Sequence, residues 1–383
     1  MSRINIALFL FLSLMIPISS ILIINMKTKD RFYIVKLKEY ENLTIRVNNE
    51  IVKFNRSLHY FDCQSDNGDV EIIFGKDIID VRNMFNMANV YAYLDAILSI
   101  KIKSLNTYVT DVSYMFQYQR ALTFVDLSEF DMSKVTNFKY MFGYCNNLFS
   151  IKFGNYIVNN PISMANMFYG CYTLTSLNLS NFNISSAIDM SYMFKECRLL
   201  TYLNINLKEA NVNDTTEMFS GCNSLTSLDL KNFKTSKILK MNKMFYFCVN
   251  LKSLDLSNFD TSLTTNMESM FDGCKSLIYL NINNFNTAKV TNMKNMFQNC
   301  FSLISLNLSN FKISNNTNIE NIFYGISENL IYCVNDDLYQ NIKTEMNSKK
   351  CAIRDNNCAT GWSIGSKKLI IDNDIVICYD NHN

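Results

Sequence analysis

LKSLDLSNFDTSLTTNMESMFDGC, residues 251–274, is followed almost at once by a near copy of itself, LIYLNINNFNTAKVTNMKNMFQNC, residues 277–300. The fixed letters are Leu, Asn, Phe, Thr, Met and Cys. The Met-Phe pair begins at Met84, Met115, Met141, Met167, Met193, Met218, Met244, Met270 and Met296, and Ile322-Phe323 closes the series. After a longer first step, from Met84 to Met115, every spacing equals that from Met270 to Met296, except that Met218 arrives one position early. A period this regular marks a solenoid, in which units too small to bury an apolar face alone share one core by stacking.

Each unit divides into two halves. Met267, Met270, Phe271 and Cys274 fall at i, i+3, i+4 and i+7, the spacing of one face of a short helix. A column of small polar residues precedes that stripe: Asp80, Asp111, Asn137, Ser163, Asp189, Asp214, Asn266, Asn292 and Asn318, broken only by Lys240. Such side chains accept hydrogen bonds from the free amides of a helix's first turn. Leu277, Leu280 and Ile282 follow as L-x-x-L-x-L, whose alternating end predicts a short strand, and Phe285 turns the chain back toward the core. The expected fold is an α/β solenoid, a leucine-rich repeat array with one short strand and one short helix per unit across residues 80–325.

L-x-x-L-x-L is the leucine-rich repeat signature, and the longer word MFxxCxxLxSLxLSNFxTSxxTxMxxMF resembles the BspA-like class of these repeats. The resemblance implies a curved leucine-rich solenoid on a surface protein with a role in adhesion, often to host matrix proteins. Residues 156–161 and 207–213 depart from the word and are the places to expect local irregularities.

Composition narrows the function. The net charge is +2, charged residues make up 18%, and no basic run with interleaved aromatics is present, which argues against nucleic acid as a partner. The N-terminus carries Arg3, an apolar run from Ile6 to Ile16, and then Pro17, Ser19 and Ser20, the order of a secretory signal. Ile21–Ile24 extend the run to about the length that spans a bilayer, so residues 1–24 read as a signal peptide or a signal anchor. Seven N-x-S/T sequons, at Asn42, Asn55, Asn178, Asn183, Asn213, Asn307 and Asn315, agree with export to a secreted or cell-surface location.

Residues 27–79 lack the repeat word and read as a small N-terminal β cap for the open edge of the array. Residues 326–383 read as a C-terminal cap that begins a Cys-rich module, with the repeat register lost after Gly325. The even set Cys333, Cys351, Cys358 and Cys378 suggests two disulfides of open pairing.

No catalytic constellation can be assembled. His59 and His382 both lie outside the repeats, and neither C-x-x-C nor H-E-x-x-H occurs. The expectation is a protein that is not an enzyme, with no metal and no cofactor. Cys145, Cys171, Cys197, Cys222, Cys248, Cys274 and Cys300 lie on the apolar stripe and read as buried core thiols.

Binding is expected on the exposed strand positions. One column contains Asp126, Lys152, Asn178, Asn204, Asp229, Asp255, Asn281 and Asn307; its neighbour contains Phe124, Tyr202 and Tyr279 among serines. Short polar groups with a few aromatics suit shallow recognition of an extracellular protein or glycan. The candidate ligand-binding residues are Tyr202, Tyr279, Asp126, Asn204, Asp229, Asp255 and Asn281. The rival readings are a structural coat component without a specific ligand and, if the N-terminal signal is false, an intracellular scaffold.

Overall fold

The computed structural model describes residues 81–86, 97–102, 109–208, 210–327, 330, 332 and 342 in full. It also describes the backbone of strands at 22–28, 32–33, 43–47, 50–52, 60–61, 68–74, 97–104, 331–334, 351–354, 370–372 and 375–377. The chain divides into two compact units, Met1–Asn183 and Ile184–Asn383.

The first unit carries β1 (Leu22–Thr28), β2 (Phe32–Tyr33), β3 (Leu43–Val47), β4 (Glu50–Val52), β5 (Tyr60–Phe61), β6 (Gly68–Phe74), β7 (Ile97–Ser104), β8 (Phe124–Glu129), β9 (Ser150–Phe153) and β10 (Ser176–Leu179). Seven of these form one sheet in the order β4-β3-β6-β1-β7-β8-β9. The strands β7, β8 and β9 run parallel, one per coil. β1 runs antiparallel to both β6 and β7 and so joins the N-terminal strands to the coils. Its first residues, Leu22, Ile23 and Ile24, fall inside the stretch expected to be leader or anchor; in the sheet they pair with Phe74, Ile73 and Ile72 on one side and with Ser104, Lys103 and Ile102 on the other. Residues 1–21 lie outside the described residues.

The second unit carries β11 (Tyr202–Ile205), β12 (Ser253–Asp255), β13 (Tyr279–Asn281), β14 (Ser305–Leu308), β15 (Ile331–Val334), β16 (Cys351–Arg354) and the hairpin β17 (Ile370–Asp372) with β18 (Ile375–Ile377). β12 pairs parallel with β13, and β14, β15 and β16 form a parallel ladder. Ser305 faces Ile331, so the repeat step holds once more beyond Gly325, where the sequence word had faded. β15 needs only the strand half of the word. Cys333 and Cys351 sit on these strands, but their side chains, with those of Cys63, Cys358 and Cys378, lie outside the described residues, as does the expected disulfide pairing.

Among the described residues of the repeats, the expected short helices are absent. The helical turn there is the 3-10 turn Ile184–Ser186, and the M-x-x-M-F segments are chains of tight turns. The reason lies in how the amide protons are shared. In the coil around Met270, the N–H groups of Met267, Ser269, Phe271 and Gly273 donate to the carbonyls of Asn292, Lys294, Met296 and Gln298 in the next coil, at 2.8–3.0 Å. The alternate N–H groups of Met270, Asp272 and Cys274 donate within the coil to Met267, Ser269 and Phe271, at 3.1–3.3 Å. A helix would keep every amide in its own coil.

Reversing every second amide requires left-handed backbone every fourth residue. Ser269 (φ 51), Asn295 (φ 59), Asn299 (φ 57) and Gly273 (φ 77) adopt it, as do Tyr114, Tyr118, Lys243 and Phe247. An L-residue there costs roughly 1–2 kcal/mol. In each named case the N–H of that residue makes a bond to the next coil, which offsets the strain. Gly273 is required for space as well, since a Cβ would meet the Phe247 ring at 2.8 Å.

The expected apolar stripe is nonetheless the core. Met267, Met270, Phe271 and Cys274 are fully buried. The Phe column stacks face to face: Phe85, Phe116, Phe142 and Phe168 in the first unit, and Phe194, Phe219, Phe245, Phe271, Phe297 and Phe323 in the second, with centroids 5.3–5.8 Å apart and rings within 12° of parallel. Such pairs contribute about 0.5–1.5 kcal/mol each beyond the area they bury. The cysteine thiols fill the adjoining gap and donate to a Phe carbonyl of the preceding coil, as from Cys274 to Phe245 at 3.1 Å and from Cys300 to Phe271 at 3.2 Å.

The Thr of the SNFxTS word is also buried. Thr261 Oγ1 donates to the Asn286 carbonyl at 3.0 Å and accepts from the Asn286 amide at 2.7 Å. Thr235 and Thr287 repeat this with Asp260 and Lys312. The irregular stretches pack on their own apolar residues: Val158 is buried and bridges to Phe182, and Leu207, Ala210 and Val212 are buried.

This packing makes two outcomes measurable. Thr261→Val preserves shape but strips both bonds from the Asn286 backbone. It should cost about 1–3 kcal/mol in urea unfolding, with Thr261→Ser recovering most of the loss. The second concerns reactivity. Burial pushes the thiols of Cys145, Cys171, Cys222, Cys274 and Cys300 up, and that of Cys248 to about 12. All seven repeat cysteines are free and buried, and a thiol, unlike a thiolate, is a poor nucleophile. An iodoacetamide-type reagent at pH 8 should leave the seven unmodified in the folded protein and alkylate all seven in denaturant without reductant.

Candidate binding face

The outward strand positions form this face, and the structure gives most of its polar residues a local task. Asp229 Oδ1 accepts from the Lys231 amide at 3.1 Å, Asp255 Oδ1 from Ser257 at 3.1 Å, and Asn281 Oδ1 from Asn283 at 3.3 Å. Asn178 and Asn307 do the same for Ser180 and Ser309. These are Asx turns, in which the side chain closes the bend at the end of the L-x-x-L-x-L segment, and Asp229 does so although its own segment is not a strand. In the coil of Asn204 the turn falls to Asn206, which accepts from Lys208 at 3.2 Å and leaves Asn204 exposed on β11.

Asp126 is nearly buried and bonds both the amide and the hydroxyl of Ser128, with Lys152 Nζ 3.8 Å away. Burial pushes its carboxyl up, but the Ser128 bonds with Lys152 and Lys101 outweigh burial and hold it below the ordinary carboxylate value.

The column expected to cap helices works in the same way at another corner. Asp111, Asn137, Asp189, Asp214, Asn266, Asn292 and Asn318 each accept from the amide two residues on, at 2.8–3.1 Å. They open the stack of turns rather than a helix, and in each unit neighbouring members pair as one-residue parallel bridges. Lys240, the exception in sequence, holds its place by pairing its Nζ with Asp214 Oδ2 at 3.3 Å.

The aromatics remain. Tyr202 is 58% exposed, and Tyr279 is half-buried, its phenol pushed up by burial and the Asp255 carboxylate against a bond with Asn281. The two lie three coils apart, about 14 Å at the usual strand spacing. Beside them lie side chains that sequence reasoning passed over. Ile278 (45% exposed) and Ile304 (47%) are neighbours on successive coils, with the Ile304 amide 3.3 Å from the Ile278 carbonyl. Phe301, in the turn ahead of β14 rather than on the strand face, is exposed at 52%. In the first unit, exposed Phe149 stands at the position of Ile278, and Phe124, expected in the outward column, is exposed on β8. The available signal was an apolar residue at the x of L-x-S-L, where other coils carry Thr or Lys.

Of the two sequons on this face, Asn178 is exposed and Asn307 is buried. A glycan on Asn307 has no room on the folded face.

The opposite, turn-built surface of the second unit holds the most perturbed acid. Asp272 is buried, accepts from Asn299 Nδ2 at 3.3 Å, and is pushed up to about 6 by burial against Asn299 and Lys243. Lys195 and Glu217 pair nearby, with Lys195 Nζ 5.3 Å from the centre of the Tyr192 ring. Among the described residues no group of three or more His, Cys, Asp or Glu is placed to hold a metal ion.

Asp272 sets a pH dependence. Its ordinary value is 3.8, so between about pH 4 and 6 the folded protein keeps a proton that the unfolded chain has released. Stability therefore falls as pH rises through this window, and the full penalty stands above it. Asp272→Asn should be more stable than wild type at pH 7.5, with the gap closing toward pH 4 in urea midpoints measured across the range. A gap that widens on acidification would contradict the assignment.

No curated protein matches the sequence. A crystal structure of a leucine-rich repeat protein from Eubacterium ventriosum ATCC 27560 is similar at 15% identity and a TM-score of 0.29, covering 60% of this chain and 90% of that one. The TLR13–ssRNA13 complex is similar at 14% identity and a TM-score of 0.22, over 67% of this chain and 50% of that one. The coils themselves, with an apolar ladder in every period and, among the described repeats, a strand in each except the one at Leu225–Leu230, where the expected strand is absent, make each unit a leucine-rich-repeat-like solenoid. The family described as "Mycoplasma protein of unknown function, DUF285" matches at residues 59–174, 110–228 and 213–330. With these overlapping matches spanning most of the sequence, the chain belongs to that family.

Proposed function

We propose that the chain is a non-enzymatic, exported surface protein of the BspA-like leucine-rich class that binds a protein or glycan through its outward strand face. The observation that carries the reading is the exposed set Tyr202, Ile278 and Ile304 on the second unit, beside polar residues already satisfied by their own turns. Exposed large apolar groups on a rigid backbone are the usual anchors of an interface. The polar column contributes shape and a few outward lone pairs rather than most of the energy. Adhesion to matrix proteins is the role that the resemblance to the BspA-like class suggests. The scarcity of histidine and the want of any nucleophile–base motif support the non-enzymatic reading.

A structural coat component is the competing reading, favoured by the consumption of Asp126, Asp229, Asp255 and Asn281 in turn formation. Binding separates the two. Wild-type protein should retain at least one member of a panel of purified matrix proteins and glycans on a biosensor. Replacing Tyr202 and Tyr279 by Ala and Ile278 and Ile304 by Ser should weaken that binding about tenfold or more, with the circular dichroism spectrum unchanged. Undiminished binding would move the site off this face, and no binding to any member would favour the coat.

A further inference from the structure

The N-terminal apolar run poses a conflict that the sheet resolves. As a bilayer span it needs residues 6–24, which as a helix measure about 28 Å against a hydrocarbon core of about 30 Å. Leu22, Ile23 and Ile24, however, are the first three residues of β1, hydrogen-bonded on one edge to β6 and on the other to β7. β1 has no place at a sheet edge. It is the strand through which β4, β3 and β6 connect with β7, β8 and β9. On β7 the residues facing Ile24 and Met26 in register, Ile102 and Ile100, are fully buried.

The same residues cannot be both helix in lipid and strand in the sheet. Taking residues 22–24 away leaves the apolar run Ile6–Ile16, broken only by Ser13. That is about 17 Å of helix, half a bilayer, and a length usual for the apolar core of a cleaved leader. Pro17 ends the run, and small residues follow at Ser19 and Ser20, the composition of a leader-peptidase site.

From this conflict, and resting on the export proposed above, we infer that the chain is processed by hydrolysis of the peptide bond between Ser20 and Ile21, so that β1 enters the mature protein whole. Water adds across that bond, giving a new carboxylate on Ser20 and a new amino group on Ile21. The position follows from two bounds. A cut beyond Leu22 removes strand residues paired on both edges, and a cut before Ser20 leaves part of the leader's apolar and small-residue stretch on the folded body; of the two bonds that remain, Ser20–Ile21 is the one with a small residue immediately before the cut. The N-terminal span then serves for export alone and does not anchor the folded protein.

The full chain, carrying a C-terminal tag, is expressed in cells with a secretory pathway, and its N-terminal peptide is identified by mass spectrometry. The expected product is extracellular and begins at Ile21. An extracellular or membrane-held chain that keeps Ser2, or one that begins at Leu22 or later, overturns the processing while leaving export standing. A chain found only inside the cell with Ser2 intact overturns export itself, and the processing with it.

A second measurement tests the strand independently of export. Chains starting at Ile21 and at Asn25 are produced without a leader and compared by thermal unfolding. The shorter chain should melt lower by roughly 5 °C or more. Equal melting temperatures would show that Leu22–Ile24 are dispensable to the sheet and would overturn the inference.

Discussion

Each coil gives away half of its amide protons. In the turns that carry Met, Phe and Cys, one N–H closes a turn at home and the next reaches the carbonyl one coil on, as Met270 bonds Met267 while Phe271 bonds Met296. The rest of the architecture depends on this alternation. It fixes the coil spacing, which sets the Phe rings at stacking distance and brings thiols such as that of Cys274 under a carbonyl of the coil before. It also explains why strained left-handed residues persist at regular intervals. Their strain of roughly 1–2 kcal/mol each is tolerated because a bond to the next coil depends on it. A single coil lacks those acceptors, so the conformation exists only in the stack.

The same economy governs the polar surface. Columns of Asp and Asn that face solvent look like a recognition surface, yet their carbonyl or carboxylate oxygens are bound to amides two residues on at two corners of the coil. Buried Thr261 and its equivalents link coils from inside. A repeated polar letter in such an array is therefore first a structural requirement. The letters that vary from coil to coil carry the individuality of the surface: Tyr202 where other coils have Ser, and Ile278 and Ile304 where others have Thr or Lys. Departures from the word, rather than the word itself, are where the surface differs from coil to coil.

Aspartate at position 272 shows the converse. It stands in a column where other coils place Gly, Ser, Asn, Gln, Lys or Tyr, and it lies buried with Asn299 as its hydrogen-bond donor. The raised carboxyl marks a local conflict between burial and charge, the kind of feature a duplicated framework does not require.

How much was legible beforehand depended on the range of the interaction. The period, the buried identity of Met267, Met270, Phe271 and Cys274, and the strand at L-x-x-L-x-L were all readable, because burial repeats with the letters. The polar residue ahead of each stripe was rightly read as an acceptor for a nearby amide, since that contact is local. The helix was not there, although the glycines before the cysteines at Gly170, Gly221 and Gly273 hinted at left-handed backbone. The spacing i, i+3, i+4, i+7 is common to a helix and to a chain of four-residue turns. What separates the two is where every second amide finds its acceptor. Sequence by itself determined the period and the core; only the tertiary structure decided between helix and turn, because the deciding carbonyls lie a full period away, on the next coil.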